Sequence, residues 1–235
     1  MDDNLFSISM TNYNKGEYIG QAIRSVLEQT HENWQLIIVD DGSTDNSVEV
    51  VNSFKDDRIT LVKMPTNMGV SNGHLIAFEK AKGKLIGILD SDDVLTNDAL
   101  AEMFAFAKKC SMCGLMFSNY FHCDKNLEVL KVKRNRIPKG GSILYDEHAI
   151  SHFKVFSKHY YNKSARFNPK QLRAADRDIT LKMEEVGGLA HLDKELYFYR
   201  YTDKGISTRI AGNHIEARHY FDMAIREAKR RRGID

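Results

Sequence analysis

An α/β fold, with a mixed and mainly parallel sheet and helices on both faces, is what this sequence predicts. Three observations carry the prediction. Short apolar runs alternate with segments of helical periodicity through the first half of the chain, the connectors are short, and two of the runs end in clustered aspartates. Strands covered on both faces read as unbroken apolar runs, and the strand-helix-strand order joins them by right-handed crossovers. The 235 residues suffice for a substantial core and fit one domain, 1–235, better than two small ones.

Phe6 to Met10 reads as the first strand. Ile19, Ile23, Val26 and Leu27 then recur at i, i+4, i+7 and i+8, the spacing of one helix face. Leu36 to Val39 is a continuous apolar run that ends in Asp40-Asp41-Gly42-Ser43, a turn rich in loop formers. Asp45 or Asn46 caps the next helix, which turns Val48, Val51 and Phe54 inward. Ile59 to Val62 is a third strand, and Leu75, Ile76 and Phe78 mark the inner side of the helix after it. Leu85 to Leu89 is a fourth strand ending in Asp90-Ser91-Asp92-Asp93. The following helix carries Leu100, Met103, Phe104 and Ala107 on one face, with Asp93 and Asp98 placed to cap it. From Leu115 the rhythm changes. Leu115 to Phe121 and Val129 to Val132 read as strands, Gly140-Gly141 as a turn, Asp176 to Val186 as a helix and Leu196 to Tyr201 as a last strand.

A formal net charge of +2 argues against a nucleic-acid binder. The exception is local, at Lys229, Arg230, Arg231 and Arg232. Such a segment suits either peripheral contact with anionic lipid on the inner face of a membrane or a solvated helix end whose cations complement the helix dipole. Ile215, Tyr220, Phe221, Met223 and Ile225 fit packing on the domain, on a second copy in a homodimer, or at a membrane surface. No apolar run approaches the about 20 residues needed to span a bilayer, and the acidic start Met1-Asp2-Asp3-Asn4 is unlike a secretory signal. Cys110 and Cys113 have CxxC spacing but no partners to complete a zinc set, so reduced thiols are expected. These features fit a cytoplasmic protein.

In an open parallel sheet, ligands bind at the carboxyl ends of the strands. Two apolar strands finish there in aspartate clusters, and like charges side by side repel and resist burial. A divalent cation bridging to phosphate oxygens compensates them. Mg²⁺ or Mn²⁺ takes one or two protein carboxylates while substrate phosphates complete the shell. Helix caps and a solvated acidic turn are the plainer account of the same residues.

Several ordered motifs then carry a resemblance. Ser9-Met10-Thr11-Asn12-Tyr13-Asn14, Ser25-Val26-Leu27-Glu28-Gln29-Thr30 and Ile38-Val39-Asp40-Asp41-Gly42-Ser43-Thr44-Asp45 come first. Asn67-Met68-Gly69-Val70-Ser71 and Leu89-Asp90-Ser91-Asp92-Asp93 follow. In this order they are similar to the opening of family 2 glycosyltransferases, densely over residues 6–100 and again at Ala175-Asp176-Arg177-Asp178 and Leu196-Tyr197-Phe198-Tyr199-Arg200. The resemblance implies a GT-A (Rossmann-like) fold. Residues 1–112 would be a nucleotide-sugar-binding half, 113–210 an acceptor and catalytic half, and 211–235 a C-terminal helix. It implies transfer of a sugar from a UDP-sugar donor to a hydroxyl acceptor of polysaccharide, lipid-linked or cell-surface type, by inverting displacement with Mn²⁺ or Mg²⁺. By the same resemblance Thr11, Tyr13 and Asp41 line the base pocket, with Asp41 accepting a hydrogen bond from uracil. Asp90 lies near the ribose, and Asp92 ligates the metal on the diphosphate. Thr11 stands where proline is common, and His74-Leu75 where an Arg-Asn pair is common. His74 is either a substitute donor or a helix-surface histidine.

Such a displacement needs a carboxylate to take the acceptor's proton. The resemblance places it in a Glu-Asp motif at the start of a late helix, here Ala175-Asp176. Asp176, Ile179, Met183 and Val186 share one helical stripe, so Asp176 faces inward while Asp178 lies on another face, in a solvated pair with Lys182. A first-turn acid favoured by the helix dipole is the other role for Asp176. After the last strand, family members often have a histidine near the metal. This chain has Asp203 to replace it, with Arg200 or Lys204 to meet the diphosphate. His122, His148, His152 and His159 are set aside as scattered histidines. The rival from another class is a non-catalytic nucleotide-sugar-binding or scaffold protein of the same fold, motivated by the acid missing before Asp176 and by His74.

Overall fold

The computed structural model describes residues 4–202 and 214–234, with backbone alone for 214–217. Strands β1 (Phe6–Asn12), β2 (Trp34–Asp40), β3 (Ile59–Lys63) and β4 (Leu85–Ile88) alternate with helices α1 (Ile19–Leu27), α2 (Ser47–Ser53) and α3 (Val70–Lys80). Then come β5 (Val94–Leu95), α4 (Ala99–Lys108), β6 (Cys113–Cys123), β7 (Val129–Lys133) and β8 (Lys154–Ser157). The remaining elements are α5 (Lys158–Lys163), α6 (Ala175–Glu184), β9 (Gly188–Arg200) and α7 (His214–Arg232). The strands form one sheet in the order β3-β2-β1-β4-β8-β6-β9-β5, and β7 pairs with β6 beyond the end of β8. β1 to β4 are mutually parallel, β8 runs against both β4 and β6, and β9 is parallel to β6. Six strands therefore point one way, and β5, β7 and β8 oppose them.

Alternation along the strands divides the core into two layers. Phe6, Ile8, Met10, Leu36 and Ile38 pack under α1 and α4. Ile37, Val39, Ile86 and Phe117 pack on the opposite face against α3, α5 and α6. This double cover is why β2 reads as an unbroken apolar run. At the start of α2 the N-cap is Asn46, which makes no side-chain capping bond, and Asp45 just before it accepts the Ser47 amide at 2.9 Å. On the α3 side β1 presents buried Ser7 and Ser9, and Ser9 Oγ meets His74 Nδ1 at 2.8 Å. His74 is 3% exposed and stacks on Phe167 with ring centres 5.2 Å apart, so it is a core residue and not a helix-surface one.

Other expectations change. β8 and α5 were not foreseen, and β9 begins at Gly188, not Leu196. Asp178 and Lys182 form a buried pair at 2.5 Å, with side chains 3% and 5% exposed, instead of a solvated one. Lys182 also donates to the Arg166 carbonyl at 2.8 Å, which shows how the neighbouring chain closes over that face. Cys110 and Cys113 are bonded as a disulfide, where reduced thiols were expected, and Cys123 is free and buried. α7 docks on the domain. Ala224 and Ala228 cluster with Ile143 and Leu181, and the Arg177 guanidinium lies 3.7 Å from the centre of the Phe221 ring. Arg231 and Arg232 are tied to Glu185 and Glu184 at 2.8 and 3.0 Å, and Arg230 pairs with Glu227 at 2.6 Å, so three of the four terminal cations already have acidic partners.

Candidate active site

The foreseen acids fall into two groups at the carboxyl ends of the strands: Asp40 and Asp41 build the end of β2, whereas Asp92 and Asp176 both act on Asp90 beyond β4. Asp40 accepts hydrogen bonds from Asn12 Nδ2 at 2.7 Å, from the Ser43 amide at 3.0 Å and from Ser43 Oγ at 2.6 Å. These bonds lock the ends of β1 and β2. Asp41 takes the amides of Met68 and Gly69 on its two oxygens, at 2.7 and 2.9 Å, and burial raises its pKa. Gly42 lies at φ 75°, and a Cβ there would stand 2.7 Å from the Thr66 carbonyl carbon. Only glycine lets the two segments approach this closely. Thr11 is half-buried against Gly73 at the end of β1, and Tyr13 just beyond it is 45% exposed.

Asp93 does not cap a helix. It is 1% exposed and accepts Tyr197 Oη and the Arg200 amide, each at 2.7 Å. Burial, then the charges of Asp92 and Asp90, push its carboxyl well above the usual range. The sequence put Arg200 on a diphosphate, but the structure puts its guanidinium beneath the acidic loop. Arg200 Nε donates to the Asp92 carbonyl at 2.6 Å, Nη2 to Gln21 Oε1 at 2.6 Å, and Nη1 to the Lys125 carbonyl. Asp92 itself pairs with Lys15 Nζ at 2.5 Å, both side chains partly exposed. Asp90 is half-buried and its pKa is pushed up to about 7, by burial first and then by Asp92. Asp203, the metal ligand read from the sequence, lies outside the described residues, as does Lys204.

The first turn of α6 brings Asp176 to the same site from the far side. Its side chain is 65% exposed, and Lys154 Nζ of β8, only 7% exposed, stands 3.5 Å away. Enclosure by surrounding protein raises the Asp176 pKa. The Lys154 ammonium and the Arg177 amide outweigh that and hold it below the usual carboxylate range. Asp176 is thus water-accessible, ionised and electrostatically coupled to Asp90. Ligand atoms of Asp90, Asp93 and His152 lie within 4.8 Å of one another. The His152 pKa falls to about 3, through burial and then the Lys154 charge, which keeps the imidazole neutral with a lone pair to share. Crowded carboxylates beside a neutral imidazole fit a hard divalent cation such as Mn²⁺ or Mg²⁺.

Sequence reasoning singled out neither Lys15, Lys154 nor Tyr197, and it set His152 aside. One signal was present. Lys154 interrupts the apolar run Phe153 to Phe156, and an interior lysine in a strand calls for a partner.

The chain belongs to Glycosyl transferase family 2, whose sequence profile matches residues 7–177. The hyaluronan synthase of Pasteurella multocida is 29% identical over 246 residues, covering 98% of this chain and 24% of that protein. The Escherichia coli UDP-Glc:alpha-D-GlcNAc-diphosphoundecaprenol beta-1,3-glucosyltransferase WfgD is 38% identical over 126 residues, 54% of this chain and 49% of that protein. The chain therefore spans about half or less of the length of these curated relatives. Among solved structures, S. aureus TarS 1–349 in complex with UDP-GlcNAc has a TM-score of 0.73 at 18% identity, over 93% of this chain and 65% of that one. The mannosyltransferase PcManGT from Pyrobaculum calidifontis, in complex with GDP-Man and Mn²⁺, has a TM-score of 0.66 at 16% identity, over 95% and 64%. These likenesses establish the GT-A fold.

Proposed function

We propose that this chain transfers one sugar from a UDP-linked donor to a hydroxyl acceptor, inverting the anomeric centre, with Mn²⁺ or Mg²⁺ at the acidic loop. The observation that carries this reading is that Asp92, Lys154 and Asp176 all act on Asp90 electrostatically, and that Asp90 shares a cluster with Asp93 and His152. Family membership supports the reaction class, and the UDP-GlcNAc complex of TarS supports the donor. The hyaluronan synthase and WfgD support a polysaccharide or lipid-linked acceptor, and the Mn²⁺ complex of PcManGT supports the ion.

In this reading Thr11, Tyr13 and Asp41 receive the base, while Asp92, the ligand read from the sequence, would hold the cation beside the Asp90, Asp93 and His152 cluster. Bound there, the ion draws off negative charge as it builds on the departing diphosphate. Asp176 takes the proton of the acceptor hydroxyl while that oxygen bonds to the anomeric carbon. The bond from that carbon to the diphosphate oxygen breaks, and its electron pair leaves with UDP. Lys154 keeps Asp176 ionised, and Arg200 and Asp93 fix the acidic loop from below. The setting is cytoplasmic in the same reading. Among the described residues no helix is long and apolar enough to cross a membrane. A peripheral contact through the C-terminal segment would fall chiefly to Lys229, since Arg230, Arg231 and Arg232 are each ion-paired.

A thermal-shift screen of UDP-, GDP- and dTDP-sugars with and without Mn²⁺, followed by transfer assays, tests the proposal. UDP-sugars with Mn²⁺ should stabilise the protein. Asp92→Ala should weaken UDP binding, whereas Asp176→Asn should spare it and stop transfer. Equal nucleotide affinity in EDTA would rule out the metal role, and no stabilisation by any nucleotide would end the donor assignment.

A further inference from the structure

A row of aromatic rings leads away from the acidic loop to a pair of lysines, and the donor chemistry above uses only its inner end. Tyr197, fully buried, bonds Asp93. His152 lies flat between Tyr197 and Tyr199, with ring centres 4.7 and 4.8 Å apart and planes within 13° and 18°. His122 continues the row, 5.7 Å from Tyr199 and 5.8 Å from Tyr201, and Tyr120 meets His152 edge-on at 5.4 Å. Strand register explains why these rings form one surface. Tyr197 and Tyr199 alternate along β9 and share a face, Tyr201 follows in the same phase, and β6 sets His122 opposite Tyr199. β7 in turn sets Lys131 opposite His122 and Lys133 opposite Tyr120. Both lysines therefore stand on the ring-bearing face, two strands out from Tyr199, or roughly 10 Å at the usual strand spacing.

Exposure rises along the row, from 0% at Tyr197 to 41% at Tyr201, and β7 is exposed throughout. Lys131 and Lys133 make no ion pair among the described residues. Asp124, at the turn between the two strands, takes the amides of Asn126 and Glu128 on its Oδ1, at 2.8 and 2.9 Å, and pairs with neither lysine. His122 Nδ1 is buried and has no hydrogen-bond partner among the described residues. Burial, then the charges of Lys131 and Lys133, lower the His122 pKa, which agrees with the strand register that sets Lys131 opposite it.

We infer that this row is the acceptor track, and that the acceptor is a glycan carrying a phosphate or carboxylate roughly 10 Å beyond the rings that hold its sugars. The inference rests on the glycosyl-transfer reading and deepens it. The inner rings stack on one another, so it is the partly exposed outer rings, Tyr199, His122 and Tyr201, that offer apolar surface to the C–H faces of sugars, while two lysines without ion-pair partners among the described residues favour an anion. A lipid-linked diphosphate and a uronate in a growing chain share this chemistry.

Calorimetric titration in the presence of UDP and Mn²⁺ separates the cases. The probes are a neutral N-acetylglucosamine oligosaccharide, a hyaluronan tetrasaccharide and an alkyl N-acetylglucosamine diphosphate. At low salt, at least one anionic probe should bind tenfold or more tightly than the neutral one, and Lys131→Glu/Lys133→Glu should erase that preference. A preference for the diphosphate identifies the lipid-linked source, and one for the tetrasaccharide the uronate source. Equal binding of neutral and charged probes, no binding of either charged probe, or a preference that survives charge reversal overturns the inference. The UDP-dependent thermal shift of the same wild-type sample tells the failures apart. UDP binding without anion preference removes the track alone, whereas absent UDP binding removes the glycosyl-transfer reading and the track with it.

Discussion

Replacing Asp90 by asparagine should stabilise the metal-free protein at alkaline pH and remove most of its stabilisation by Mn²⁺. Burial, then the neighbouring charge of Asp92, raises the Asp90 pKa from 3.8 to about 7. The folded state therefore binds this proton more tightly than the unfolded chain does. The contribution is fully present below about pH 4, is lost as the pH rises, and is gone above about pH 7. A shift of about three units, at about 1.4 kcal/mol each, sets a ceiling of about 4 kcal/mol. Solvent reaching a half-buried carboxylate brings the working figure to about 1–2 kcal/mol. Asparagine keeps the shape and removes the charge. The stability gap between Asp90→Asn and wild type should open from about pH 4 and level off above about pH 7, reaching about 2–6 °C in melting temperature. Mn²⁺ competes with the proton, so it should stabilise the wild type more at pH 8 than at pH 6, and the variant little at either. Scanning calorimetry at several pH values, with and without Mn²⁺, reads both effects. A gap that is flat across pH would show that Asp90 is not crowded by charge, and the reasoning about the acidic loop would fail.

Lys154→Met removes the cation that favours ionised Asp176, so the acid limb of the kcat/KM profile should move to higher pH; an unmoved limb would separate Lys154 from the base. Arg200→Lys leaves the Asp92 carbonyl, the Lys125 carbonyl and Gln21 Oε1 without their shared donor, so thermal denaturation should show a loss of about 2–4 kcal/mol with weakened UDP binding. Wild-type stability in that variant would mean the clamp is dispensable. Gly42→Ala forces a positive φ on alanine and a contact with Thr66, and urea unfolding should register about 1–3 kcal/mol of destabilisation.

The strand-helix order of the first half was legible because β2 is covered on both faces and α1 shows a clean apolar stripe. β8 was hidden because it is four residues long and one of them is Lys154, while α5, at six residues, is too short to display a period. Asp178 and Lys182 read as a solvated pair because spacing four apart says nothing about what later packs over the helix. Asp93 read as a cap for a similar reason, since Tyr197 and the Arg200 amide reach it from more than a hundred positions along the chain. His152 carried no pattern at all. Its place beside Asp90 exists only because β8 pairs with β4 on one side and β6 on the other.

The sheet stitches early and late sequence together twice. β4 hydrogen-bonds to β8, and β5, though it lies in the first half of the chain, hydrogen-bonds to β9. A cut in the connector between α4 and β6 would thus bare two strand edges at once and strip Asp93 of both its partners. Chimaeras that exchange the later segment between relatives must carry both seams and Arg200 across intact, so the portable unit is the interlaced sheet and not either half.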